Sequence, residues 1–130
     1  DALKSYTLES ALSKMLNEYS DISHIKIKLD YEWGNANFQK TTENIIFRVI
    51  EETVTNSLRH GHATKIWIKC TSNNSSYILS IHNNGKSETH IKPGYGITQM
   101  RERLTIINGT VEFDGKKGFT TVVKFPKVGV

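Results

Sequence analysis

A single cysteine, Cys70, in 130 residues rules out an internal disulfide and any cysteine-based zinc site. That fits a reducing compartment. No apolar run approaches the ~20 residues that cross a bilayer as a helix. The opening "DALKSYTLES" has neither the basic nor the apolar region of a signal peptide. It starts at Asp1 without a methionine, so the expectation is a cytoplasmic piece of a longer protein, with membrane anchoring of the parent left open. No internal repeat or low-complexity segment is visible. The net charge of +4 favours an anionic partner. The lysines are scattered, however, and no basic stripe with interleaved aromatics appears, which argues against direct contact with nucleic acid. The Asn-x-Ser/Thr sites at Asn73, Asn74 and Asn108 matter only in a secreted protein and are read as chance.

The composition, 37% hydrophobic and 23% charged, is that of one globular domain with a real core. Leu8, Leu12, Met15, Leu16 and Tyr19 recur at helical spacing within 5–19. "HIKIKLDYEW" alternates as a half-buried strand, with His24 at its start. After the loop "WGNANFQKTT" a second helix begins, with Thr41 or Thr42 as its cap. It ends at "RHGHA", where Gly61 is the stop. "TKIWIKC" and "SSYILSIHN" are two strands joined by "TSNNS". The loop "NGKSETHIKPGYG" leads to a helix near 97–107, and "GTVEF" and "FTTVVKFP" pair around "DGKKG". This order predicts an α/β (α+β) two-layer sandwich, one mixed sheet of about five strands covered on one face by three helices.

The second helix carries an unexpected stripe. Ile46, Ile50, Thr53, Val54, Ser57 and Leu58 form an apolar side, while Arg48, Glu52, Asn56 and Arg59 or His60 share another. Asn and Thr are poor helix formers, so a merely solvated face would be better served by Lys, Gln and Glu. A Glu and an Asn one turn apart can supply oxygen to Mg²⁺ or to its bound waters, and an adjacent Arg can meet a phosphate. Gly94 and Gly96 flank Tyr95 directly before the third helix. Glycines there let backbone approach an anion, and the helix start offers unpaired N–H groups. Alone, either feature is weak.

Together the motifs are specific. "RVIEETVTNSLRHGHATKIWI", "SIHNNGK", "GYGITQMRERL" and the closing "GTVEF…GFTTVVKFP" resemble, in order and over about residues 3–127, the ATP-binding catalytic domain of sensor histidine kinases. Within the gyrase, chaperone, histidine kinase and MutL ATPase superfamily, the resemblance is to the subfamily working with NarL/LuxR-type response regulators. It implies a Bergerat-type ATP-binding fold over 1–130, ATP and Mg²⁺ as cofactors, and transfer of the γ-phosphoryl group to a histidine on a separate dimerisation domain. That domain is absent from this chain, whose parent is expected to be a homodimer and the piece itself a monomer. None of the five histidines sits in a phosphoacceptor-like helix.

Carried over by position, the resemblance implies Asn56 as the Mg²⁺ ligand and Glu52 as the acid that holds or polarises metal-bound water. Arg59 would reach a phosphate and His60 would lie beside the nucleotide. Asn83 stands where an aspartate usually accepts from the adenine amino group, and Gly85 lets the purine approach the backbone. Gly94 and Gly96 would form the base of a lid against the phosphates, Tyr95 and Ile97 between and after them would also bind the nucleotide, and Thr120 would sit under the adenine, with Phe119 where a threonine is common. The amide at Asn83, Ser87 in place of a glycine, and a short lid from Lys86 to Pro93 are expected to lower affinity rather than abolish it. Three rival readings are an anti-sigma-factor serine kinase of the same fold, a non-catalytic nucleotide sensor, and a purely structural interaction domain.

Overall fold

The computed structural model describes residues 7–34, 36–60, 62–85 and 95–127, with Tyr95 through its backbone only. In chain order the elements are α1 (Leu8–Ser23), β1 (Lys26–Tyr31), α2 (Lys40–Arg59), β2 (Lys65–Ser72), β3 (Ser76–Asn83), α3 (Tyr95–Thr105), β4 (Thr110–Asp114) and β5 (Phe119–Pro126). The sheet order is β1-β2-β3-β5-β4. β1 runs parallel to β2, and every other pair is antiparallel. Parallel neighbours need a crossover, and α2 is that crossover. The expected element order and the three-helix, five-strand mixed sheet are both found.

Period-2 alternation sets which side of the sheet is covered. Ile66, Ile68 and Cys70 of β2, Leu79 and Ile81 of β3, and Val123 and Phe125 of β5 are buried toward the helices. Lys65, Trp67 and Lys69 alternate with them on the open face. α2 lies centrally, touching β3 and both other helices, while α1 packs on β1 and α3 on β4. The helices contribute Leu12, Leu16, Ile46, Val49, Ile50, Val54 and Leu104 to the same core. At one end of the sheet, Trp33 meets Tyr31, Phe38, Tyr77 and Phe125 edge-on, an arrangement aromatic quadrupoles favour. Its indole N–H donates to the Thr71 carbonyl. This end is closed by packing, and the other end of β3, at Asn83, holds the polar groups.

Two helix boundaries differ from expectation. α2 starts at Lys40 with Gln39 as a cap that makes no side-chain bond. Thr42 lies inside the first turn and is buried, so neither Thr41 nor Thr42 caps the helix. α1 is capped by Thr7, whose hydroxyl accepts from the Ser10 N–H at 3.1 Å. It closes at His24, in the left-handed region at φ 58°, so His24 ends a helix rather than starting a strand. No helix of the described residues is long and apolar enough to cross a membrane.

Candidate functional site

The site is assembled on α2. Its inward side buries Val49, Ile50, Thr53, Val54 and Ser57. Glu52 and Asn56 are half-buried on a neighbouring side, while Arg48, Arg59 and His60 are exposed. The helix therefore carries the two expected faces, with Leu58 only half-buried between them. Among the described residues the Asn56 amide accepts and donates no side-chain hydrogen bond, which leaves its oxygen available as a ligand. Glu52 is engaged, because its Oε1 lies 2.8 Å from Nη1 of Arg103 on α3. Both side chains keep about a quarter to a third of their surface in water (31% and 23%), so the pair is a clamp between helices rather than a buried ion pair. Arg103 belongs to the "MRERL" string, yet its partner lies 51 residues away, and helical spacing alone did not reveal it. Tyr19 of α1 donates to Glu51 at 3.4 Å. Burial, then the Glu51 charge, push the Tyr19 phenol above its ordinary value.

The last residue of β3 points under α2. Asn83 is 1% exposed. Its Nδ2 donates to Ser57 Oγ at 2.8 Å, and its Oδ1 accepts from the Gly85 N–H at 2.8 Å. Ser57 in turn donates to the Thr53 carbonyl at 2.9 Å. Asn84 does something different. Its Oδ1 accepts from the N–H groups of Thr64 and Lys65, and its Nδ2 donates to Thr64 Oγ1. It thus ties the start of β2 to the end of β3 and holds the β3 terminus in place. Phe119, opposite Asn83 in the ladder, stacks on Phe113 at 5.7 Å between centroids and gives this end of the site an apolar wall.

Thr120 is not brought to the site. It pairs with His82 in the ladder, and its hydroxyl lies 2.7 Å from His82 Nδ1. Both side chains stand on the sheet face opposite Asn83. The threonine on the helix side is Thr121, fully buried, and its hydroxyl has no hydrogen-bond partner among the described residues. In a strand, a shift of one residue reverses the face, and "FTT" gives no local cue to which threonine points in. Gly96 and Ile97 lie in the first turn of α3, exposed and half-buried respectively, and a Cβ at Gly96 would meet nothing within 4 Å among the described residues. Gly94, the Tyr95 side chain, the lid at 86–93 and the helix stop at Gly61 lie outside the described residues.

The donors available to a metal are an amide oxygen and a carboxylate one turn apart. Among the described residues no group of three or more His, Cys, Asp or Glu side chains stands together. Two oxygen groups suit a hard ion that keeps several waters and shares itself with a ligand's phosphates, as Mg²⁺ does. They do not suit a closed transition-metal site.

No family model matches the chain. Over 128 residues, 94% of its length, it is 30% identical to the sensor histidine kinase LiaS of Bacillus subtilis, of which it covers 36%. Over 89 residues, 66% of its length, it is 29% identical to the sensor protein VraS of Staphylococcus aureus, of which it covers 26%. The chain therefore spans about a third of the length of these curated relatives. Among solved structures it superposes on the histidine kinase domain of the Erythrobacter litoralis EL346 blue-light activated kinase with a TM-score of 0.77 at 14% identity, covering 92% of this chain and 64% of that one. With the catalytic domain of the histidine kinase ThkA the TM-score is 0.71 at 18% identity, covering 92% and 90%. The fold is that of a histidine kinase catalytic domain. In sequence the chain is similar to part of a sensor histidine kinase and of a sensor protein.

Proposed function

We propose that the chain binds ATP with Mg²⁺ beside α2 and α3, at the Asn83 end of the sheet. In the parent kinase it donates the γ-phosphoryl group to a histidine of the dimerisation domain, for relay to a NarL/LuxR-type response regulator. The observation that carries the reading is Asn83. It is a buried amide held by two hydrogen bonds, one of them to Ser57, the α2 residue next to Asn56. Kinase names among the relatives support the class of chemistry.

Phosphoryl transfer needs positioning and charge balance more than covalent help from the protein. Asn83 accepts from an exocyclic amino group and orients the base, and Phe119 with Phe113 supplies apolar surface beside it. Asn56 offers its oxygen to the metal. When bound, Mg²⁺ would neutralise charge on the phosphate oxygens. Arg59 and His60 lie at the end of α2, where Arg59 can reach a phosphate and His60 lies beside the nucleotide. Glu52, held by Arg103, has one oxygen committed and the other available to a metal-bound water. The first turn of α3, with Gly96 and Ile97, presents N–H groups to an anion. The attacking nitrogen comes from the dimerisation domain. Separated from it, the domain is expected to be a monomer.

Calorimetric titration with ADP and a non-hydrolysable ATP analogue, with and without Mg²⁺, tests the reading. Saturable, Mg²⁺-sensitive binding is expected. Asn56→Ala should weaken the Mg²⁺-dependent part by about tenfold or more, roughly 1.4 kcal/mol, with an unchanged circular dichroism spectrum. Equal affinity in that variant would remove Asn56 as the metal ligand. No binding at millimolar nucleotide would favour an interaction module instead.

A further inference from the structure

The open face of the sheet gathers lysines that are scattered along the sequence. Lys26 and Lys28 of β1 and Lys65 and Lys69 of β2 are all exposed there, around Trp67. Lys26 and Lys65 are partners in the parallel ladder, as are Lys28 and Trp67. Like charges directly opposite one another weaken a sheet. Among the described residues none of the four lysines has a carboxylate within 4 Å, and Asp30, the ladder partner of Lys69, does not close to an ion pair. Lys26, Lys28, Lys65 and Trp67 line a hollow of about 220 Å³. Trp67 is 40% exposed. Its ring lies 5.5 Å from that of His82, and His82 is held in turn by Thr120 at 2.7 Å. The indole is therefore fixed before anything binds, and little rotamer freedom is left to lose on contact. The fold itself gains little from four unneutralised charges around an exposed indole.

We propose that this half of the open face is a docking surface for an acidic segment of a partner protein, laid along β1 and β2 with one apolar side chain on Trp67. Charge complementarity carries the choice of partner. From Lys65 to Lys69 the strand advances about 13 Å at roughly 3.3 Å per residue, so a short extended segment covers the cluster. The far half of the same face argues against an anionic membrane. Across the ladder the row Lys28, Trp67, His82, Thr120, Asp114 runs from cation to anion, and Glu112 is exposed on that face as well. A flat anionic bilayer over the face would meet both carboxylates, whereas one segment along β1 and β2 meets neither. Single-stranded nucleic acid favours several stacking aromatics along a basic groove, and this cluster offers one exposed indole. The surface lies on the side of the sheet opposite Asn83, and the proposal does not depend on nucleotide binding.

The test titrates the whole chain with an end-blocked hexaglutamate peptide at about 0.1 M salt, where charges more than about 10 Å apart are largely screened. Trp33 is 2% exposed, so acrylamide quenching of tryptophan fluorescence reports on Trp67. Saturable binding that protects Trp67 from the quencher is expected, and it should weaken as salt rises. Interrupting the peptide with one phenylalanine should tighten binding about threefold, the scale of an aromatic pair. Lys65→Glu should weaken binding by about tenfold or more. Lys14→Glu makes the same change of net charge on the helix side, at an exposed residue, and should stay within about twofold of wild type. Lys65→Glu places opposite charges across the ladder from Lys26, so its urea midpoint should be no lower than that of wild type. Should it be lower, Lys28→Glu carries the same comparison. Equal losses on the two faces, binding that leaves Trp67 as open to acrylamide as before, or no binding at all overturns the proposal. Stronger protection of Trp67 by poly-uridylate, or by vesicles of equimolar phosphatidylserine and phosphatidylcholine, overturns the assignment to a protein partner.

Discussion

Gly118 lies in the turn between β4 and β5 with φ +70°, and a Cβ built there would sit 2.2 Å from the Asn83 carbonyl oxygen and 3.3 Å from the Asn84 Cα. Gly118→Ala therefore meets two penalties. The left-handed backbone costs an L-residue about 1–2 kcal/mol. The contact is with backbone, which cannot swing aside as a side chain would, so forcing the strand end to move adds about 1–3 kcal/mol. The sum, roughly 2–5 kcal/mol, is a large share of the 5–15 kcal/mol typical of a domain. Urea unfolding at fixed pH, followed by tryptophan fluorescence, should show a lower midpoint with little change in slope. Gly34→Ala is the control, since nothing lies within 4 Å of its added Cβ, and it should stay within about 0.5 kcal/mol of wild type. The displaced atoms belong to Asn83, so nucleotide affinity should fall as well, at a temperature where the variant is still folded. A Gly118→Ala midpoint indistinguishable from that of Gly34→Ala would refute the argument.

The Glu52–Arg103 clamp should show in a double-mutant cycle to alanine as a coupling of about 0.5–1 kcal/mol, the range for a partly exposed pair of good geometry; additive single effects would mean that the 2.8 Å contact contributes nothing. Burial, followed by the charges of Asp30 and Glu9, pushes the Cys70 thiol up to about 12 from 9.0, and burial does the same to Tyr31, from 10.0 to about 12. Above pH 9 the unfolded chain releases a thiol proton that the folded chain keeps. The unfolded state then binds fewer protons, and stability falls as pH rises. The contribution is whole below pH 9 and lost as pH climbs toward 12. Urea midpoints should decline from pH 9 to 10, and Cys70→Ala should flatten that decline; an equally steep decline in the variant would mean that the thiol is not its source.

What was legible in the sequence was local. The alternation of β1 and β2 and the two faces of α2 follow from periods of two and 3.6, which nearby residues carry by themselves. The cap of α2 was misread because threonine favours caps, whereas packing draws Thr42 into the first turn. The Ser57–Asn83 bond spans 26 residues and the Glu52–Arg103 bond 51. No periodicity links such pairs, and only the crossing of elements creates them. Thr120 failed for a third reason. Its neighbour Thr121 is chemically identical, so the face depended on register alone, and the pairing of Asn83 with Phe119 decides it.

The polar stripe of α2 now has a physical account that includes its inner neighbours. Successive helical residues point about 100° apart, given 3.6 residues per turn. Asn56 and Ser57 therefore look into different environments from the same turn, one toward the half-exposed side of α2 and the other into the core beneath β3. The first keeps part of its surface in water. The second holds the end of β3 through Asn83, with no exposed surface of its own. The hydroxyl-to-carbonyl bonds from Thr53 to Val49 and from Ser57 to Thr53 satisfy the two buried hydroxyls within the helix, so they cost the core little. Replacing Thr53 by valine would remove one such hydroxyl without touching Asn83. Replacing Ser57 removes the one that the sheet uses. Thr53 is thus satisfied within its own helix, whereas Ser57 also ties that helix to the end of β3.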